Sequence, residues 1–285
     1  GKGKSVSNAG ETTSEDIEED KSGLFGSNET AKNRKRRRLI TSLIVIFVGW
    51  ELFGQFGIEN RLFFAPLSEI AVSGYENWIS GELQKHISAS FQELLYGMLL
   101  ATIFGIAFGI LIAINQSVRE HCDPIVSALY ATPTVAIAPI LITAFGLGIA
   151  SKVAVVFLIA VFPIIINTTV GIRQTQESFI ETAYSFNATR WQVIAKVLVP
   201  SSIPFVIAGI RLGVGRGIVG VVVGELFGAD MGLGIFIFEA GQTFDAAPQF
   251  LGILILCFAG MALTGLLQWT EKKIAPWHHF ALDEE

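Results

Sequence analysis

Residues 177–200 read ESFIETAYSFNATRWQVIAKVLVP, an amphipathic island between two strongly apolar runs. Its local chemistry is that of two short helices. Ser178 followed by Glu181 has the spacing of a capping box, in which each side chain satisfies a backbone N–H at a helix start. Phe179, Ile180, Ala183 and Phe186 then share one face at three- and four-residue spacing. Asn187 suits the left-handed position that closes such a helix. Thr189 and Gln192 repeat the capping-box spacing, and Ile194, Val197 and Leu198 supply the second apolar face. Pro200 predicts the stop. The island reads as a helix–turn–helix resting on a surface outside the lipid core.

Outward from the island the chain becomes a membrane protein. Of its 285 residues 51% are hydrophobic and only 16% are charged. Several runs reach the ~18–20 apolar residues needed to cross a bilayer. Six spans are predicted, at about 39–57, 87–114, 125–145, 152–172, 202–224 and 250–270. The net charge of −5 is misleading, since Glu11, Glu15, Asp16, Glu18, Glu19 and Asp20 crowd one polar tail. Residues 1–31 have the composition of a disordered acidic tail. The block KNRKRRR at 32–38 directly precedes an apolar run, which makes it a juxtamembrane anchor facing anionic lipid and not a nucleic-acid patch.

Charge asymmetry orients the spans. With the N-terminus inside, Arg119, Arg173, Arg190, Lys196, Lys272 and Lys273 join the basic block on the inner side. The outer segments then hold only Arg61, Lys85 and Lys152. That is the sign of the positive-inside rule, so both termini and the 177–200 island are expected in the cytoplasm.

Between the first two spans, Phe63, Phe64, Tyr75 and Trp78 suit the outer interface, and Pro66 is placed to open a short helix there. Pro133 and Pro139 in span three and Pro163 in span four predict bent or interrupted helices. Asn167, Thr168 and Thr169 read as hydrogen-bonding residues between helices. Cys122, in a predicted cytoplasmic loop, and Cys257, in mid-span, make neither a disulfide nor a metal site. In span five, Gly215, Gly217 and Gly220 match the spacing of a dinucleotide fingerprint, but no strand or βαβ unit surrounds them. Gly209, Gly213, Gly217, Gly220 and Gly224 instead form one narrow stripe, which lets a second helix approach closely. Ala101, Gly105 and Gly109 form another in span two.

Arg211 and Arg216 lie in span five, where an ionisable group demands a function or a partner. They are the candidate substrate-pathway residues, with one of the two free to hold a carboxylate such as Glu51 or Glu93. Glu225 ends the span and is expected at the outer surface. The Gly-rich loop at 225–249 is consistent with either a re-entrant segment or a cover over the outer mouth. Trp269, Lys272, Lys273, Trp277, His278 and His279 read as an inner interfacial anchor. No acid–base pair, nucleophile elbow or metal spacing occurs, and GKGKS at 1–5 lacks the upstream glycine and strand of a phosphate loop. Catalysis and a resident cofactor or metal are therefore not expected.

The island also resembles the coupling loop of ABC-importer permeases: Glu-Ala-Ala, three residues, Gly, nine residues, Ile, any residue, Leu-Pro. Glu181-Thr182-Ala183 takes the triplet, Asn187 the glycine, Val197 the isoleucine, and Val199-Pro200 the end. Thr182, Asn187 and Val199 depart from the pattern, and Asn187 retains the left-handed turn. The stretch PFVIAGIRLGVGRGIVGVVVGELFGADMGLG resembles the nitrate, sulfonate, taurine and bicarbonate branch.

The resemblance covers about 60–277 and implies an all-α polytopic fold of the type I importer class. In it, 39–272 is the permease domain, 173–200 its coupling loop, and 273–285 a cytoplasmic tail. It implies ATP-driven import of a small anion from a periplasmic binding protein across a bacterial inner membrane. ATP and Mg would be bound by separate ATPase subunits, which Glu181, Thr182, Ala183, Asn187, Val197 and Pro200 would engage. A second permease subunit, by expectation an identical copy, would complete the pathway. The rivals are a permease of another branch, for an organic solute or vitamin precursor, a secondary transporter or channel without an ATPase, and an integral-membrane enzyme, which the missing catalytic constellation disfavours.

Overall fold

The protein is described by a computed structural model, which covers residues 34, 37–38, 40–57 and 62–275. The chain divides into two units, 1–59 and 60–285. The first contributes one apolar helix, α1 (Ile40–Gly57), whose last residues, Phe53–Gly57, wind as a π turn. At its start Arg34, Arg37 and Arg38 surround one concave surface with Thr41 and Ser42.

The second unit is organised around α6 (Ile149–Arg173), which is buried along most of its length. Its Val, Ile and Phe side chains need neighbours that come close, and two glycine stripes provide them. From α3 (Glu82–Ile114), a Cβ at Gly105 would lie 2.7 Å from Ile164 Cγ2, and one at Gly109 would lie 2.9 Å from the Ile165 carbonyl. From α9 (Val199–Leu226), a Cβ at Gly213 would lie 3.2 Å from the Ala160 carbonyl, and one at Gly220 would lie 3.2 Å from Val156 Cα. Lipid tails are as apolar as leucine, so helices in a bilayer associate through such close van der Waals contact. The stripes read from the sequence thus bracket α6 on two sides. Thr169 adds a hydrogen bond from its hydroxyl to the Gly109 carbonyl, 3.1 Å. Asn167 bonds within its own helix, to Pro163 O, and Thr168 Oγ1 is buried without a partner.

Among the described residues, five helices are long and apolar enough to span a bilayer: α1, α3, α6, the helical run Arg190–Leu226 that ends in α9, and α11 (Ala246–Ile274). The predicted third span is broken. Its parts are α4 (Gln116–Ala131), a 3₁₀ turn (Thr134–Ile137) and α5 (Ala138–Phe145), and the chain bends by 87° between α4 and the segment after it. Pro133 sits at the break, where it forbids a continuing ladder, and Pro139 lies in the first turn of α5. Pro124 and Pro163 are accommodated inside α4 and α6. Cys122, expected in a loop, is helical because α4 begins well before the apolar run. Both cysteines are free.

Pro66 is the N-cap of α2 (Leu67–Ile79), as anticipated for this segment. The 225–249 loop contains α10 (Leu233–Gln242), which is apolar but too short to span. The expected tail at 1–31 and the anchor residues Trp277, His278 and His279 lie outside the described residues. Trp269 carries the Lys273 ammonium over its ring at 4.8 Å.

Candidate functional site

The island folds as two helices, with corrected boundaries. The first, α7 (Glu177–Ser185), has Gln176 as its N-cap and no side-chain cap. Ser178 therefore lies inside the helix, where its carbonyl accepts the Thr182 hydroxyl at 2.7 Å, and the Ser178–Glu181 box does not form. Helix growth by two residues, from a start at Phe179 to one at Glu177, outcompeted it; Glu177 favours the positive N-terminal end of the helix dipole. The closing turn is as read: Asn187 has φ 55°, Ala188 N–H donates to Ala183 O, and Asn187 N–H donates to Tyr184 O. Those two bonds define a Schellman cap. The second capping box is present, with Gln192 N–H donating to Thr189 Oγ1 and Thr189 N–H to Gln192 Oε1.

Pro200 does not stop the second helix. The chain runs from α8 (Arg190–Val193) through a π turn (Ile194–Leu198) directly into α9. Proline lacks an N–H and crowds the carbonyl four residues back. Widening the preceding turn to i→i+5 pairing absorbs both effects, so the helix passes the proline. Val193 and Ile194 are buried, while Phe179, Tyr184, Phe186 (83% exposed) and Trp191 (75%) form an uncovered aromatic rim. Between α7 and the π turn lies a groove of about 380 Å³ lined by Phe179, Thr182, Ala183, Lys196, Val197, Pro200 and Ser201. Four of the six residues read as ATPase-coupling meet in that groove. Glu181 is exposed beside it, and Asn187 makes the turn. Arg190 ties the unit to α3 by donating to Ile114 O at 3.1 Å.

The two span-five arginines have different surroundings. Arg211 approaches Glu271 of α11, N to O 4.0 Å, and so holds a carboxylate that was not among the expected Glu51 and Glu93. Arg216 has no carboxylate at ion-pair distance among the described residues. Its guanidinium instead sits over the Tyr130 ring, 4.2 Å from the centroid. Arg216 shares an exposed strip of α9 with Leu212, Gly215 and Val219, and itself flanks the glycine stripe, whereas Arg211 lies nearly opposite that stripe.

At the end of the bundle opposite the island, sequence reasoning missed a polar knot. Glu225 is fully buried and not at the surface. Its Oε1 accepts the Ser90 hydroxyl at 2.5 Å, and its Oε2 accepts Gly234 N–H at the start of α10. Ser90 Oγ also accepts Leu233 N–H at 2.8 Å, and His86 Nδ1 lies 3.0 Å from Gly232 N. Glu93 is buried beside Glu225, which removes it as a partner for either arginine. Lys152 donates to the Leu147 and Gly228 carbonyls. A Cβ on Gly232, whose φ is 145°, would overlap the Glu225 carboxyl, so glycine at 232 is what lets the α10 turn close over it. The glycines of GADMGLG were the available signal, but the partner carboxylate could not be read from them.

Among the described residues, a strand-free bundle of long apolar helices and one broken span, with a capped amphipathic pair at one end, is the architecture of a polytopic membrane protein. The chain belongs to the family of binding-protein-dependent transport system inner membrane components, which matches residues 105–276. It is 27% identical to the taurine transport system permease protein of Escherichia coli, over 84% of this chain and 89% of that one. It is 35% identical to the riboflavin transport system permease protein of Chloroflexus aurantiacus, over 70% and 74%, and 32% identical to a nitrate import permease of Synechococcus elongatus, over 67% and 69%. Its fold is similar to that of a chain in an inward-facing structure of the MetNI methionine ABC transporter, with TM-score 0.58 and 18% identity over 67% of this chain and 94% of that one.

Proposed function

We propose that this chain is the transmembrane subunit of an ATP-driven importer that carries a small anion from a periplasmic binding protein into a bacterial cytoplasm. The observation that carries the anion reading is Arg216: a permanently charged group in mid-span with no carboxylate among the described residues to neutralise it. A guanidinium offers paired N–H donors matched to adjacent oxygens, which nitrate, bicarbonate and sulfonates all present. The taurine and nitrate permeases among the relatives support the same class.

The exposed aromatic rim and groove of α7–α8 are the surface on which a separate ATPase, holding ATP and Mg, would dock. Glu181, Thr182, Ala183, Asn187, Val197 and Pro200 are its contact residues. Both termini and 173–200 face the cytoplasm, the basic block at 32–38 meets anionic lipid, and a second copy of the chain completes the pathway. The riboflavin permease favours a second reading, import of an uncharged organic solute. Uptake by the chain co-reconstituted with its ATPase and binding protein distinguishes them. ATP-dependent uptake of an oxyanion that fails in Arg216→Gln is the expected result. Uptake without ATP would establish a secondary transporter instead, and uptake of an uncharged solute unaffected by Arg216→Gln would establish the second reading.

A further inference from the structure

Arg216 stands 17 residues after Val199 and 10 before Leu226, about 26 and 15 Å along a helix rising ~1.5 Å per residue. A guanidinium there is too costly to leave in lipid, so the strip of Leu212, Gly215, Arg216 and Val219 faces protein or water. A Cβ on Gly215 would touch nothing within 4 Å, which leaves open space beside the charge. What holds the guanidinium is Tyr130. The difference from Arg211 is chemical. A carboxylate partner cancels the charge, whereas a ring face attracts the cation and leaves its net charge intact for a second anion. Tyr130 also has a telling position in the chain. It is the penultimate residue of α4, and Thr132, whose hydroxyl donates to Ala128 O, ends the helix just before Pro133 and the 87° bend. The ring is thus mounted at the break in the span.

We propose that Tyr130 is a positioning residue for Arg216: through its ring face it aims an un-neutralised guanidinium at a passing oxyanion, and the broken span sets where that ring stands. This rests on the anion-path reading above. Since a bound anion and the ring attract the same cation from different sides, the contact orders the side chain for binding and leaves turnover to other steps. The effect belongs in KM more than in maximal rate.

The test uses the complete transporter, with its ATPase and binding protein, in proteoliposomes. Position 130 is replaced by Phe and by phenylalanines carrying one, two and three ring fluorines, which change shape little and progressively drain the ring's negative face. Tyr130→Phe is expected to transport like the parent. The fluorinated series is expected to raise KM for the anion stepwise to a total of roughly 2- to 30-fold, the range set by cation–π strengths, with maximal rate, assembly and ATPase activity unchanged. A flat KM across the series, with Arg216→Gln still defective, overturns the role of Tyr130 and leaves the anion reading standing. A defect in Tyr130→Phe equal to that of Tyr130→Leu assigns the effect to the hydroxyl and also overturns it. Normal anion uptake by Arg216→Gln sinks the anion reading and this inference together.

Discussion

Arg211 and Arg216 lie five residues apart on α9, about 140° apart around it, and one helix face cannot present both. Their spacing required different roles; the neighbours assigned them. Arg211→Gln removes the cation facing Glu271, a pair at the long limit of an ion pair and partly exposed. It is expected to lower the melting temperature in detergent slightly, by the ~0–1 kcal/mol of such pairs, with uptake per assembled transporter unchanged. Arg216→Gln is expected to keep the melting temperature and lose anion uptake. Thermal melts and transport assays on the same preparations check both. Glu225 shows what was illegible at this scale. A carboxylate at the end of a predicted span reads as surface-exposed, because nothing in the linear sequence shows that Ser90, 135 residues away, donates to it. Gly232→Ala pushes a methyl into that carboxyl and forces an L-residue to φ near 145°, so a destabilisation above the ~1–3 kcal/mol of backbone strain alone is expected in the melt.

At the scale of the element, the island followed its local chemistry wherever the competing interactions were also local. The Thr189–Gln192 box and the Asn187 turn formed as their spacing predicts. The Ser178–Glu181 box lost to an earlier helix start, and the stop at Pro200 lost to a π turn. Thr189→Ala is expected to cost ~0.5–2 kcal/mol, the usual range for a lost cap, and to loosen α8, read as faster amide exchange at Arg190–Val193. Glu181 makes no capping bond, so its role is open to test at the docking surface. Glu181→Lys should leave folding and membrane insertion intact while lowering ATP-driven uptake, whereas Glu181→Gln should do less. Uptake by Glu181→Lys at the parental rate would argue against docking at α7–α8. The glycine stripes were legible because 100° per residue is a property of any helix. Which helix they would receive was not.

For the whole molecule the decisive experiment is topological. With Cys122 and Cys257 replaced by serine, single cysteines at Ser80, Gly148, Ala188 and Glu239 are exposed in intact cells to a membrane-impermeant maleimide. Labelling from outside is expected at 80, 148 and 239, and at 188 only after the membrane is opened. Labelling of 188 in sealed cells would invert the orientation drawn from the Lys and Arg distribution.

Composition and periodicity by themselves determined that this is a helical membrane protein, roughly where its spans fall, which faces carry glycine, and that a capped amphipathic pair interrupts the apolar runs. All of these follow from short-range rules: a bilayer of set thickness, a helix of set pitch, a backbone group that must be paired nearby. Tertiary structure alone decided that α6 is the centre, that the bend predicted for span three reaches 87°, that Arg211 meets Glu271 while Arg216 meets Tyr130, and that Glu225 is sealed beneath α10. Those outcomes depend on which surfaces of distant segments come within about 4 Å of one another, and a linear sequence records the surfaces without recording their meeting.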